Sequence, residues 1–408
     1  MTSTTHYFSS SCFYFSTNIA GLEALVGPVL ERMEHALTIV QQGLQQQQQN
    51  NSNAMNERTE NALQSISDEL KTFATAMNHV DHFKTVSRIP RKQTQALQTV
   101  CGNVMSRAWP IITLIVSMSR EETTNELFDL FTILLRSMTP LMGNYVASIV
   151  DAAVSTYRRS LSGAALKCLT GVVEGYGETH ASALQQMLIA TYEPTIACIQ
   201  GGPSVLAARS ETIREFFLLV QRVGVFSPSA FTQETLERVI PLATQCIVLN
   251  EFKPCKQVLL LLVLVLKLPQ KSEELRRVTD QIMNNNDTGY TLAMTLLTCI
   301  ATTSPSRLLL QHAEVLYCLA ARYSNQCQQW IFQFLSNVPE TTLKAETKQN
   351  VMTLLFDVQF AQNNLQRHKK RFKGVMIDLA KICRGEETAA VLAGWNMSEG
   401  GGGLIDLS

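Results

Sequence analysis

The sequence predicts an all-α protein, and three observations carry that prediction. Apolar residues recur at helical spacing almost from end to end of the 408 residues, and Gly, Pro, Ser or Asn interrupt them at short intervals. Sustained alternation of β-branched and polar residues is missing, as are the Asn-Gly and Asp-Gly pairs of hairpin turns. The helical segments pair with a period of roughly 40–50 residues, which is typical of HEAT arrays. We therefore expect a HEAT-repeat α-α superhelix, or solenoid.

Three regions are predicted along the chain. Residues 1–19 lack the basic and apolar regions of a signal peptide, and we expect a disordered or truncated N-terminal segment there. Residues 20–385 are predicted to form the HEAT-like array, with a Gln/Asn-rich loop at 45–58 that opens with a run of glutamines. Residues 386–408 are predicted to be a flexible Gly-rich tail.

Within the array, the second helix of each pair is expected to be buried on nearly all sides. The segments 122–137, 209–223 and 254–268 fit that place. Prolines in apolar surroundings are expected to start or kink helices; they are Pro110, Pro140, Pro194 and Pro241. Residues 272–301 are predicted to form one helix.

The stretch "CKQVLLLLVLVLKLP", residues 255–269, tests whether the chain inserts into a membrane. Its aliphatic run, Val258 to Leu266, would rise about 14 Å as a helix, whereas a hydrocarbon core is about 30 Å thick. Leu also favours helix over strand. The run predicts a buried helix and no membrane insertion.

Composition and motifs exclude several function classes. Lys plus Arg equals Asp plus Glu at 34 each, so no net field draws the chain to nucleic acid. Ten cysteines are scattered singly, as expected of buried thiols in a reducing compartment. Phosphate-binding, dinucleotide-binding, zincin and nucleophile-elbow motifs are missing. We expect a protein without catalysis, cofactor or metal.

Two stretches have the composition of binding segments. The run "RHKKRFK" predicts a basic contact face at Arg367, Lys369, Lys370 and Arg371. A solvated helix face is the alternative, and an acidic group of the chain itself could also pair with these cations. The final "LIDLS" is somewhat like a clathrin-box docking peptide, against the alternative of a frayed terminus.

The order of several segments resembles the importin-β superfamily of nuclear transport receptors, specifically the transportin-SR/importin-thirteen branch. The resemblance runs from about residue 20 to about residue 385 and rests on helix lengths and spacing. Two helices end at Tyr157 and at the pair Tyr176–Gly177, as in that branch. Further matching segments are "VMSRAWPIITLI", "EELRRVTDQIM", "NQCQQWIFQFLSNVPETTLKAETKQNV" and "MIDLAKICRG".

The resemblance implies the C-terminal, cargo-binding part of a nuclear import receptor that shuttles between cytoplasm and nucleus. Its partners would be protein cargo, nucleoporins, and the GTPase Ran. Ran would bind mainly through N-terminal repeats that have no counterpart in this sequence. A HEAT scaffold in another pathway, such as vesicle trafficking, is the alternative, and "LIDLS" would then be its working motif.

Candidate cargo contacts also follow from the resemblance. The Arg-rich cargo helix of transportin-SR falls on residues 125–137, where its arginine positions correspond to Glu126, Asp129, the vicinity of Thr132, and Arg136. Only Arg136 keeps the charge. An acidic face there would repel phosphoserine, so basic or folded cargo is expected instead. Alternatively, the two acids occupy the first helical turn and offset its dipole.

Overall fold

The computed structural model describes residues 20–395 apart from 50–56, 81–90, 119, 180, 201, 250, 269–271, 286, 358–361 and 363–364. Across those residues the regular structure is α-helix with short 3₁₀ turns, and none of them lies in a strand. This confirms the predicted all-α fold.

The chain divides into two compact units, Met1–Pro194 and Thr195–Ser408. The helices that begin in the first unit are α1 (Ala20–Gln49), α2 (Glu57–Val80), α3 (Arg91–Met118), α4 (Glu121–Ser137), α5 (Thr139–Met142), α6 (Val146–Ser160), α7 (Gly163–Tyr176) and α8 (Ala181–Ile199). The boundary falls within α8.

The second unit continues the series of helices. They are α9 (Pro203–Ala208), α10 (Ser210–Phe226), α11 (Gln233–Cys246), α12 (Phe252–Lys267), α13 (Glu273–Asn284), α14 (Thr288–Ala301), α15 (Leu309–Arg322), α16 (Ser324–Asn337), α17 (Ala345–Leu355) and α18 (Leu365–Cys383).

In each unit, the second helices of successive pairs pack against one another in a row. In the first unit α2 contacts α4, and α4 contacts α7; in the second, α10, α12, α15 and α18 follow in the same way. We call these helices the B row of each unit. Their pair partners α1, α6, α11 and α14 contact α2, α7, α12 and α15. Each B-row helix is thus buried against its partner and against its row neighbours. This is the burial that the sequence predicts for the second helix of each pair.

Helix α12 shows why a B-row helix is so apolar. It contacts α10, α11 and α15, so Val258, Leu259, Leu261 and Leu262 are fully buried. One side stays open, because Leu260 on that side is 37% exposed. The aliphatic run is therefore a core helix with one narrow solvent stripe.

The predicted helix at 272–301 is two helices, which corrects the sequence-based expectation. Ser272 caps α13 by accepting a hydrogen bond from the backbone N–H of Leu275. Asp287 adopts a left-handed backbone, with φ of 56°, just before α14. Asn and Asp tolerate that conformation better than most residues, so the break falls in the "NNND" stretch.

The predicted Gln/Asn-rich loop at 45–58 is shorter than expected. Helix α1 continues through the glutamines to Gln49, and α2 already begins at Glu57. Gln is a good helix former, and acidic residues at a helix start interact favourably with its dipole. Only residues 50–56 of the expected loop lie outside the described residues.

The predicted flexible tail is partly folded. A 3₁₀ segment, Ala389–Trp395, contacts α17 and α18, and the indole Nε1 of Trp395 donates to Oδ2 of Asp378 at 2.8 Å. The Trp395 ring packs so closely on Gly374 that a Cβ there would overlap it. Residues 396–408, with "LIDLS", and residues 1–19 lie outside the described residues.

One described helical stretch, Gln98–Met118 in α3, is long and apolar enough to cross a membrane by length and composition alone. The core helix of a soluble protein passes the same test. Ala108, Ile112 and Ile115 of this stretch are buried, and α3 contacts α1 and α4.

Candidate functional site

The predicted cargo residues lie on the B-row helix α4, at its edges with the neighbouring helices α2 and α7. Oε1 of Glu126 lies 3.5 Å from Nζ of Lys71 on α2. Oδ1 of Asp129 accepts a hydrogen bond from Nζ of Lys167 on α7 at 2.7 Å. Each of the two acids therefore faces a lysine from the next helix in the row.

Arg136 lies on the same edge with α7 as Asp129, further along α4. Its Nη2 lies 3.8 Å from Oε2 of Glu174 on α7. We call these three ion pairs the α4 ladder. Its three cations match its three anions, so the acidic face expected from Glu126 and Asp129 alone is neutralised by Lys71 and Lys167.

The alternative explanation of the two acids does not hold. Helix α4 begins at Glu121, so Glu126 and Asp129 lie beyond its first turn. The interaction of a charge with the helix dipole falls off within that turn. Contacts between helices, rather than the dipole, thus account for these two carboxylates.

The four cations of the predicted basic face on α18 do not lie on one side of the helix, because successive residues of an α-helix point in different directions. Lys369 turns toward α15, where its Nζ contacts Oε1 of Glu314 at 2.6 Å. Arg371 is buried, and its Nη2 lies 3.3 Å from Oδ2 of Asp357. Arg367 and Lys370 are exposed. Two of the four predicted cations are therefore engaged by acidic groups of the chain itself.

Glu314 on α15 is the centre of the largest ion-pair group around this face. Nζ of Lys267, from α12, lies 3.1 Å from its Oε1, and Nζ of Lys373, from α18, lies 3.2 Å from its Oε2. With Lys369, three ammonium groups surround one carboxylate. Burial disfavours the charged form of Glu314, but the three ammonium groups outweigh it and lower the pKa to about 2.

An aromatic cluster behind this group fixes its geometry. Phe372 of α18 is fully buried and meets the ring of Tyr317 of α15 edge-on, with centroids 5.5 Å apart. His368 packs on Tyr317 at 6.0 Å. Residues four apart share a helix face, so anchoring Phe372 inward sets Lys369 and Lys373 side by side toward Glu314. We call Lys267, Lys369, Lys373 and Glu314 the lysine cluster.

Sequence reasoning missed half of the lysine cluster. Lys267 is 102 positions before Lys369 in the chain, and Glu314 lies in the apolar segment "LLLQHAEVLYCLAA". A lone carboxylate inside such a segment is the one signal that was available, because buried charges are paired as a rule.

A second polar group, also missed from the sequence, joins α13 to α15. Arg322 donates from Nε and Nη2 to Oδ1 of Asp280 at 2.9 and 2.8 Å, and the hydroxyl of Tyr323 donates to the same atom at 2.8 Å. Burial, and next the hydrogen bond to Asp280, raise the pKa of Tyr323. This group fixes the register of two helices.

The buried nucleophilic and basic groups of the described chain are packing groups. All nine described cysteines are free, and burial raises the thiol pKa of Cys255 to about 12. Burial lowers the pKa of His312, whose Nδ1 lies 2.9 Å from the carbonyl oxygen of Leu308. Within residues 20–395 as described, no group of His, Cys, Asp and Glu could hold a metal ion. The surface features are charged edges between helices, which suit protein recognition.

Comparisons with known proteins give one informative likeness. No protein-family model and no curated protein matches the sequence. Among solved structures, the chain is similar to "Importin13 cytosolic state", with a TM-score of 0.65 at 14% identity. The match covers 90% of this chain and 38% of that one. At that identity the likeness shows the fold alone. The predicted resemblance to importin-β receptors is therefore confirmed for the fold: the chain has the helical-repeat fold of an importin.

Proposed function

We propose that this chain is the cargo-binding portion of a nuclear import receptor, and that it acts by binding without catalysis. One observation carries the proposal: on an importin-like fold, charged side chains line the open edges between B-row helices in both units. Charged edges between helices suit contact with the surface of a folded protein, whereas a small molecule binds in a mostly apolar cavity.

The proposed cargo contacts are Glu126, Asp129 and Arg136 in the first unit. Their partners Lys71 and Lys167 are about half exposed, so these pairs can open at little cost and exchange partners with a cargo surface. Because the ladder is neutral, cargo that presents both signs of charge fits it better than a purely basic surface. In the second unit, Arg367, Lys369 and Lys370 remain a proposed basic contact face, whereas Arg371 of the predicted face is buried beside Asp357.

The wider role follows the same proposal. The receptor would shuttle between cytoplasm and nucleus, bind nucleoporins, and release cargo under the control of Ran. Ran would act mainly through N-terminal repeats, since this chain spans only 38% of the length of its structural relative.

The test has two stages. A photoreactive residue at position 125, on the exposed edge of α4, should cross-link defined cytosolic proteins, and one at exposed Val248 should serve as the control. Each captured protein is then purified, labelled and followed into nuclei of permeabilised cells, with and without the chain. We expect the chain to speed nuclear entry of proteins captured at position 125.

Two results would overturn the proposal. One is capture that does not differ between positions 125 and 248. The other is captured proteins whose nuclear entry is indifferent to the chain; proteins of vesicle coats among them would then favour the HEAT scaffold in trafficking.

A further inference from the structure

The lysine cluster carries more positive charge than its carboxylate neutralises. Three ammonium groups from two B-row helices, α12 and α18, meet one carboxylate on the helix between them. Three positive charges against one negative leave an excess of two. No other ion pair of these three lysines occurs within the part of the chain that the structure describes. The nearby Asp357 pairs with Arg371 and adds no negative charge to the balance.

These lysines also keep hydrogen-bonding capacity toward solvent. An ammonium group has three N–H donors, and Glu314 accepts from each lysine. The side chains of Lys267, Lys369 and Lys373 are 45%, 28% and 20% exposed, so each reaches water. A second anion placed opposite Glu314 could therefore accept from more than one of them without breaking the existing contacts.

We propose that the lysine cluster binds an acidic segment of a protein partner, through carboxylates that accept from Lys267, Lys369 and Lys373. Glu314 draws the three ammonium groups to one point, and its own negative charge weakens their attraction for a second anion. The inference rests on the proposed function in that the partner is cargo of the receptor, and it names the chemistry of that cargo.

The compactness of the cluster favours a short acidic segment over nucleic acid. All three ammonium nitrogens lie within 3.2 Å of a single carboxylate, so the excess charge sits at one point. Nucleic-acid binding uses basic residues along a stripe or groove that follows the phosphates. The exposed Lys370 is the chain neighbour of Lys369 on α18 and can extend the contact to a second acidic residue.

The decisive experiment is a gain of binding. The probe is a fluorescent octaglutamate peptide, titrated with the purified full chain at low salt and followed by anisotropy. Glu314→Gln removes the competing carboxylate and raises the excess charge from two to three. We expect this variant to bind the peptide about 3-fold more tightly than the wild type, with an affinity that falls as salt is added. Urea unfolding of the variant checks that it is folded under the conditions of the titration.

Loss variants and controls complete the test. Lys373→Ala and Lys267→Ala should each weaken binding about 5-fold, and Lys373→Arg should restore it. The matched control is Lys253→Ala, an exposed lysine at the other end of α12, and it should leave the affinity unchanged.

Each contrary result has a distinct meaning. Wild-type binding no tighter than to an octaglutamine peptide, or equal loss in Lys253→Ala and Lys373→Ala, would overturn the acidic-segment site. Tighter binding to single-stranded RNA than to octaglutamate would overturn the choice of ligand. None of these readouts uses nuclear import, so the site can fail while the transport proposal stands, and the reverse.

Discussion

Both units join neighbouring B-row helices by ion pairs, but the ratio of cations to anions in those pairs differs. In the first unit, single lysines join the B-row helices: Lys167 pairs with Asp129, and Lys71 lies 3.5 Å from Glu126 and 3.6 Å from Asp68 of its own helix. In the second, three lysines share Glu314. Both arrangements join neighbouring helices, but the first leaves a neutral surface and the second a positive one.

The difference teaches how a repeat array acquires local function without changing its fold. Both units keep the apolar B-row core, and only the residues at the helix edges vary. Exposed one-to-one pairs contribute little stability and constrain little. A half-buried carboxylate with three cations is tied to the fold, because its pKa is held far below the ordinary value. Stability and binding are therefore coupled in the second unit and nearly independent in the first.

The largest expected effect comes from reversing the charge at the centre of the lysine cluster. Glu314→Lys would set four ammonium groups together at a half-buried site, and we expect a loss of about 3 kcal/mol in the free energy of unfolding. Urea unfolding followed by tryptophan fluorescence measures this, with Trp330 as the probe of the second unit. The matched variant is Asp129→Lys beside Lys167, which should lose less than about 1 kcal/mol because both partners of that pair are about half exposed. Equal losses would erase the proposed difference between the units.

Acid should remove the stability that Glu314 contributes. Its pKa is about 2 in the folded chain against an ordinary value of 4.5, so the contribution is complete above about pH 4.5 and is lost as the pH falls toward 2. Allowing for solvent screening, we expect wild type to exceed Glu314→Gln by about 2 kcal/mol at pH 7. That gap should close between pH 4.5 and 2. Urea unfolding across this range checks it, and a gap that does not change with pH would contradict the depressed pKa.

The first unit can be converted toward the charge pattern of the second. Glu126→Arg with Asp129→Arg replaces both acids, which leaves two cations on each of the two edges of α4, beside Lys71 and Lys167. We expect affinity for a phosphorylated Arg-Ser peptide to rise about 10-fold in an anisotropy titration. Glu126→Gln with Asp129→Asn removes the acids without adding cations. The affinity of this variant for the peptide should lie between those of the wild type and the double-arginine variant. Unchanged affinity in both would count against a cargo role for α4.

The sequence predicts the row architecture well because helical periodicity is local. The segments 122–137, 209–223 and 254–268 overlap α4, α10 and α12, all of them B-row helices. Element boundaries were less predictable. The break at Asp287 depends on one left-handed residue, and the folding of Trp395 onto Gly374 depends on a contact between distant residues.

The charged edges show what periodicity cannot supply. Glu126, Asp129 and Arg136 were predicted from a family resemblance, but their partners Lys71 and Lys167 lie on other helices, and no local pattern links them. The basic run was visible in the sequence. Its division into engaged and exposed cations was not, because that depends on which helix faces α15.

The smallest expected effect is also the strictest test of the comparison. Lys167→Ala removes one cation from the α4 ladder, where both partners are about half exposed. Such a pair gains little in water, so the free energy of unfolding should change by at most about 0.5 kcal/mol. Urea unfolding read from Trp109, the probe of the first unit, checks this. Lys369→Ala in the second unit should cost more, since Glu314 is more buried than Asp129 and keeps its charge when one ammonium group is removed. If Lys167→Ala costs as much as Lys369→Ala, the greater burial of Glu314 does not make its ion pairs more stabilising than those of Asp129. The α4 ladder would then contribute as much to the stability of its unit as the lysine cluster does to its own.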